Sequence, residues 1–373
     1  MSSATAPTEL PRWLDVVVLP LFNLGLALLV AGLVVWAVGL SPPQVLALLV
    51  KGAFGSASGV SYTLYYATTF TFTGLAVAVA FHGGLFNIGG EGQAMLGGLG
   101  AALVALAATH HAPGWPALFV LPAIVLAAAA FGAAWAAVPG ALQAWRGSHV
   151  VITTIMFNFL AAALLAYLLV GPMKAPGQMT VESVAFAPNT HLPLVHEVLG
   201  AFGIAWPRTP LNASIALAVL AALGVQGLVW RTRFGYALRA TGHAPAAARY
   251  AGIEPKRQVL GSMLLSGALA GLVAVNEIAG VHHRLLPDFV AGAGFAGIAV
   301  ALIGRGHALG IVLAALLFGA LYQGGAELVF EVSGFSREMV LTLQGLIVLF
   351  AGALGTVAVP WLARLHAALI RRA

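Results

Sequence analysis

The sequence contains no cysteine, which excludes disulfides, thiolate metal sites and cysteine nucleophiles together. Charge is nearly as scarce. Asp, Glu, Lys and Arg make up 8% of the 373 residues, where soluble domains carry about 25%, so the chain cannot clothe a globule in polar surface. Other absences narrow the function. There is no basic, aromatic-interleaved stripe for nucleic acid, no G-x-x-x-x-G-K-[ST] for ATP and no H-E-x-x-H for zinc. GAGFAG at 292–297 matches G-x-G-x-x-G only literally, because it lies between apolar runs and no acid follows about 20 residues on. GSASG at 55–59 has Ala57 where a nucleophile elbow needs serine. His110-His111 and His282-His283 lack a third ligand, and the sequon Asn212-Ala-Ser214 sits at the mouth of a span. No catalytic constellation remains.

What is present is hydrocarbon: 61% apolar residues and a mean hydropathy of +0.98. A bilayer is crossed by about 20 apolar residues. Runs of spanning or near-spanning length fall at about 16–40, 60–82, 91–109, 117–138, 150–170, 211–230, 259–279, 292–304, 308–330 and 339–359. The fold class is therefore an all-α integral membrane protein with about ten transmembrane helices, some broken or short. Residues 1–15 form an N-terminal segment, 16–359 a single membrane domain and 360–373 a tail. The first run, 25 residues long, suits a retained span rather than a signal peptide.

Lysine and arginine in short loops set the orientation. The 231–258 loop holds Arg231, Arg233, Arg239, Arg249, Lys256 and Arg257 against Glu254, and the tail adds Arg364, Arg371 and Arg372. The proline-rich 171–210 loop has only Lys174 and Arg208. The expectation is that both termini and the 231–258 loop are cytoplasmic and the 171–210 loop lies outside. Spans two to five and seven to ten, offset by five crossings, form a candidate inverted repeat of the transporter kind.

Polar side chains at membrane depth cost roughly +2.5 to +3.5 kcal/mol when ionisable and usually face a cavity or a partner. His82, Glu91, Glu277, Arg305 and Glu327 are the ionisable candidates, with Asn87, Gln93, Thr153, Thr154, Asn158, Asn276 and Gln323 beside them. The densest cluster is FHGGLFNIGGEGQAMLGGLG, residues 81–100, with eight glycines in twenty residues. Gly83, Gly84, Gly89, Gly90 and Gly92 let the backbone leave helical geometry, and the freed N–H and C=O groups then need partners or a wet cavity. The spacing predicts a break at 83–92 with Phe86, Asn87, Glu91 and Gln93 beside a passage, Asn158 and Asn276 facing the same path, and Phe81 lining it. Either these side chains touch cargo or they hold the broken helix together. In the 231–258 loop, Thr241 is placed to cap a short helix over about 243–251, and Gly252 to end it in the left-handed conformation. That small, basic-flanked helix is shaped to sit in another protein's cleft.

GLFNIGGEGQ at 84–93 resembles the G-x-F-N-I-G-x-E-G-Q run of permease subunits of ABC importers, in the subgroup of ribose and branched-chain amino-acid permeases. VITTIMFNFLA at 151–161, RATGHAPAAARYAGI at 239–253 and GFAGIAVALIGRGHALG at 294–310 are similar to three further stretches of that family, in the same order from Tyr62 to Phe350. Ser148-His149 departs from the Asn-Glu that often precedes the second of these. Within the subgroup the form is most similar to nucleoside permeases, with simple-sugar permeases close by. The resemblance implies alternating access in a prokaryotic inner or plasma membrane and nucleoside import. No cofactor is expected on this chain itself, with ATP and Mg bound by two separate ATP-binding cassette subunits. A second permease subunit, in a heterodimer rather than a homodimer, and an extracytoplasmic binding protein complete the implied assembly. It assigns Arg239, Thr241, Gly242, Ala247, Ala248, Tyr250 and Gly252 to ATPase coupling. A simple-sugar permease and, from another class, an ion-coupled secondary transporter are the alternatives.

Overall fold

A computed structural model describes Pro11 and residues 18–332 and 335–353 of the chain. Most of the 1–15 segment, and the whole 360–373 tail with Arg364, Arg371 and Arg372, lie outside the described residues. In chain order the α-helices are α1 (Leu19–Ala37), α2 (Pro42–Phe54), α3 (Ala57–His82), α4 (Gly90–His111), α5 (Ala117–Ala141), α6 (Val150–Val170) and α7 (Val195–Ala201). They continue as α8 (Ser214–Arg231), α9 (Arg233–His243), α10 (Pro245–Tyr250), α11 (Pro255–Gly271), α12 (Ala293–Ile303), α13 (Ala308–Glu331) and α14 (Arg337–Ala353). A π-helical stretch, Val275–His282, extends α11.

The protein is an all-α membrane protein, and within the described residues each expected apolar run coincides with a helix. By length and composition the described residues contain seven helices able to cross a membrane, or eight if the bent pair α1–α2 is one span. The run at 292–304 is a helix of 11 residues, about 16 Å long against a hydrocarbon core of about 30 Å, so α12 cannot cross by itself. Helix α2 was not among the expected spans. Pro42 and Pro43 start it at the positions where a missing N–H costs nothing, and it meets α1 at 117°.

Two compact units divide the chain: Met1–Gly55 with Leu321–Ala373, and Ser56–Ala320. In the first, Ala31, Val35, Val45, Leu328, Phe335, Val340 and Leu343 form the core, and Lys51 pairs with Glu331 at 3.2 Å. The second holds the polar cluster and both loops.

Within the second unit, small residues let backbones touch, as membrane helices do in the absence of a hydrophobic drive between them. A methyl placed on Gly132 of α5 would stand 2.2 Å from the carbonyl oxygen of Gly267 on α11. Gly271, one turn further, meets Ala128 in the same way. Helix α3 is buried along most of its length. Ser56 caps it by accepting from the Gly59 N–H at 3.0 Å. Its interior threonines donate to their own helix: Thr68 to the Leu64 carbonyl at 2.8 Å and Thr71 to Ala67 at 2.7 Å. A polar-looking helix is thereby made self-sufficient.

Candidate functional site

The first break lies between α3 and α4. Gly83 closes the last turn of α3, Gly84 reverses the chain at φ +74°, and residues 85–88 are not helical. Backbone groups left over by such a break must be satisfied within the protein, and two of the expected polar residues, Asn87 and Asn158, do this, with Gln93 bracing the first. The Asn87 side-chain oxygen accepts from the Gly89 N–H at 2.9 Å, and its amide donates to Ser266 at 2.8 Å and to Gln93 at 3.0 Å. Gln93 donates back to Asn87 at 3.2 Å. Asn158, from α6, accepts from the Gly92 N–H at 2.9 Å and donates to the Ile88 carbonyl at 3.0 Å. Asn87, Gln93 and Asn158 are all buried, with their bonds directed inward. Phe86 is 38% exposed and its ring stacks on Phe81 at 5.3 Å.

Glu91 reaches elsewhere. Its carboxylate accepts from the backbone N–H groups of Gly292 at 2.9 Å and Gly294 at 2.8 Å, the unsatisfied donors at the start of α12. The glycines of GAGFAG serve this contact and the packing beside it. Gly292 is left-handed at φ +81° as the N-cap, a methyl on Gly294 would lie 2.2 Å from the Glu91 nitrogen, and one on Gly297 would lie 2.5 Å from Thr73. Helix α12 runs beside α3 in the same direction and ends in the turn Gly304–His307. There His82, the last residue of α3, donates from Nε2 to the Gly306 carbonyl at 3.0 Å. The short helix is thus held at its two ends by the residues that flank the first break.

Asn276 does not join this group, contrary to the expectation that it faces the same path. It sits in a second buried network, where its side-chain oxygen accepts from Ser214 at 2.7 Å and Asn212 at 3.0 Å. Its amide donates to Thr69 at 2.8 Å. The Tyr65 hydroxyl and Thr69 both donate to the Glu277 carboxylate. Tyr65 and Thr69 lie two to three turns before Ala76, whose carbonyl accepts from Ser266 of the Asn87 network. Position along α3 therefore separates the clusters. Sequence reading missed Tyr65, Thr69 and Ser214; the i, i+4 spacing of Tyr65 and Thr69 was the available signal. The sequon asparagine, Asn212, is wholly buried.

The 231–258 loop folds as two helices. Thr232 caps α9 by accepting from the Gly235 N–H at 3.1 Å. Thr241 does not cap the following helix as expected, because it lies inside α9 and is buried. Pro245 starts α10 with Ala244 as N-cap. Gly252 ends the loop's helical part at φ +79°, as expected. Helix α9 is seated on the first break: a methyl on Gly242 would lie 2.3 Å from the His82 carbonyl oxygen, and Leu238 is buried beside Gly83. The Arg239 guanidinium lies 4.5 Å from the Trp230 ring centre. That indole stacks on His307 at 4.8 Å and meets His82 edge-on at 5.6 Å. On α10, Ala248 points inward, while Ala247 is exposed and Tyr250 is 95% exposed.

At the opposite end the 171–210 loop is pinned to the chain after the π-helical stretch. The Ser183 N–H donates to the Leu285 carbonyl at 3.0 Å and the Phe186 N–H to His283 at 2.8 Å, and Arg284 pairs with Glu182 at 2.7 Å. His191 stacks on His283 at 3.6 Å. Burial, with the His191 ring beside it, pushes the His283 imidazole down to about 4. Residues 283–307 thus run from the 171–210 end of the bundle to the 231–258 end, non-helical over the first part and helical in α12.

Residues 59–352 match the family model described as branched-chain amino acid transport system / permease component. A glucose ABC transporter permease protein of Haloferax volcanii is 34% identical over 91% of this chain and 88% of its own length. A guanosine ABC transporter permease protein of Bacillus subtilis is 33% identical over 90% of this chain and 92% of its own. A nucleoside ABC transporter permease protein of Lactococcus lactis is 30% identical over 90% of each. No solved structure matches. With its matched span covering the break at 83–89, the 231–258 loop and α12, the chain belongs to the branched-chain amino acid transport system / permease component family.

Proposed function

We propose that this chain is the membrane permease subunit of an ATP-binding-cassette importer and that it translocates nucleosides by alternating access. The observation that carries the reading is the seating of Gly242 on the His82–Gly84 turn, because it puts the basic loop in direct backbone contact with the break in the membrane. ATP and Mg are bound by two separate ATPase subunits. Exposed Ala247 and Tyr250 meet them, while Arg239, Thr241, Gly242 and Ala248 carry the docked helix on the membrane domain and Gly252 ends it. The loop charges support a cytoplasmic 231–258 segment and cytoplasmic termini. A second, different permease subunit and an extracytoplasmic binding protein complete the complex. Phe86 contacts the passage, and Asn87, Glu91, Gln93 and Asn158 keep its wall in shape; Asn276 serves the neighbouring network.

Nucleoside cargo is supported by the guanosine and nucleoside relatives. A simple sugar is the second reading, favoured by the glucose relative. The test is reconstitution with the ATPase subunits and binding protein, followed by uptake of a panel of nucleosides and sugars. ATP-dependent nucleoside uptake is expected. Sugar uptake alone would replace the cargo, and uptake that follows an ion gradient without the ATPase would overturn the importer reading.

A further inference from the structure

Helix α12 is well suited to move as a unit. It has 11 residues and is bounded by a left-handed Gly292 before it and by Arg305 and Gly306, both at positive φ, after it. Breaks of that kind interrupt the helical hydrogen-bond ladder on both sides, so the helix can shift without dragging its neighbours by their backbones. What meets its trailing end is an assembly of four side chains from four different parts of the chain. Arg239 comes from α9, Trp230 from the end of α8, His82 from the end of α3 and His307 from the turn after α12. Trp230 touches the other three, at 4.5 Å to Arg239, 4.8 Å to His307 and 5.6 Å to His82. His82 in turn holds the Gly306 carbonyl at 3.0 Å.

The loop side of this assembly is continuous with the exposed helix α10. The Ala244 N–H, at the α10 N-cap, donates to the Ala240 carbonyl of α9 at 3.0 Å, one residue from Arg239. A push on α10 therefore reaches Arg239 within one turn. The Gly242 contact reaches only the first break; the tryptophan is what joins α9 to the turn that ends α12. A flat indole held on its faces by a guanidinium and an imidazole transmits displacement well, because stacked planar groups have few rotamers to absorb it.

We propose that Trp230, stacked with Arg239 and His307 and braced by His82, is the positioning joint through which the 231–258 loop moves α12. This rests on the reading of the chain as an ATPase-coupled permease. Trp230 touches no cargo in this scheme; it converts loop motion into helix motion.

The absence of cysteine makes the test direct, since single-cysteine pairs can be introduced without background. The full complex is reconstituted in proteoliposomes, and ATP hydrolysis and nucleoside uptake are measured on the same sample. Leu302→Cys on α12 and Leu103→Cys on α4, both exposed, carry spin labels for distance measurement with and without trapped nucleotide. Trp230→Ala is expected to keep the ATPase subunits bound and hydrolysing while uptake per ATP falls about fivefold, the scale expected from losing a stack at a partly exposed position. The nucleotide-dependent change in the label distance should disappear with it. Trp230→Phe, which keeps a stacking face, should restore both. If Trp230→Ala fails to insert, His307→Ala, on the exposed turn, removes one face of the stack and carries the same expectation. Unchanged uptake per ATP, or a persisting distance change, in the variant that inserts overturns the joint. Failure of the unmodified chain to retain ATPase subunits overturns the importer reading instead, and is seen before any variant is made.

Discussion

His82 donates to the carbonyl of Gly306 at 3.0 Å, tying the last residue of α3 to the turn after α12 across more than two hundred residues of sequence. At the other end of α12 the Glu91 carboxylate performs the matching task. Together they give α12 a contact at each end with the residues that flank the first break.

The first prediction concerns that carboxylate. Glu91→Ala leaves the buried Gly294 N–H and the half-buried Gly292 N–H without an acceptor, at about 1–3 kcal/mol for the buried one and less for the other. The thermal unfolding midpoint of the detergent-solubilised protein should fall clearly. Glu91→Gln retains one acceptor oxygen, so its loss should be about half as large; equal midpoints for all three proteins would contradict the clamp.

A second prediction is steric. Gly242→Ala sets a methyl 2.3 Å from the His82 carbonyl oxygen, whereas Gly227→Ala has nothing within 4 Å. The first should lift α9 from the break and expose the arginines of the 231–258 loop to trypsin, while the second should leave the cleavage rate unchanged. Similar cleavage in both would show that α9 does not rest on the break.

The two alanines of α10 should behave differently although they are adjacent. Ala247→Trp projects from an exposed position and is expected to block copurification of the ATPase subunits while the chain inserts normally. Ala248→Trp, at a buried position, should instead displace α10 and lower stability, by about 1–3 kcal/mol for overpacking. Normal assembly with Ala247→Trp would remove the docking assignment.

The pinned 171–210 loop should respond to acid. The His283 imidazole is held down to about 4 from an ordinary value of 6.5 while the loop covers it, so it takes up a proton more readily once the loop is released. Docking is then at full strength above about pH 6.5, weakens as pH falls toward 4, and changes no further below that. The effect is on the order of 1–2 kcal/mol once solvent screening at this half-buried ring is allowed for. Hydrogen-exchange protection factors at Ser183 and Phe186 should follow that course, and His283→Gln should flatten it; protection that rises in acid would reverse the sign and refute it.

Much of this architecture is legible in the sequence because hydrocarbon writes itself in long runs: within the described residues every apolar run is a helix. The break at 83–89 was equally visible, since a helix that stops inside a membrane needs glycines to turn on and amides to satisfy the freed backbone. Helix α2 was not, because 13 residues opened by Pro42-Pro43 resemble a connection more than a span. The partner of Glu91 was invisible for a deeper reason. It is the main chain of Gly292 and Gly294, and a backbone N–H has no letter. Asn276 was grouped with Asn87 because both are amides at membrane depth, yet depth alone does not say which turn of α3 each will meet. Thr241 followed a sound capping rule, but Pro245 offered a better helix start and won.

The Glu91 clamp also has a consequence for how the chain is made. Its donors are encoded 201 and 203 residues after the carboxylate. At roughly 5–20 residues per second, the glutamate waits on the order of 10–40 seconds, through the synthesis of most of the remaining helices, before its acceptor sites are filled. The ribosome delivers the lock long before the key, and this part of the wall can close only after Gly294 has been made.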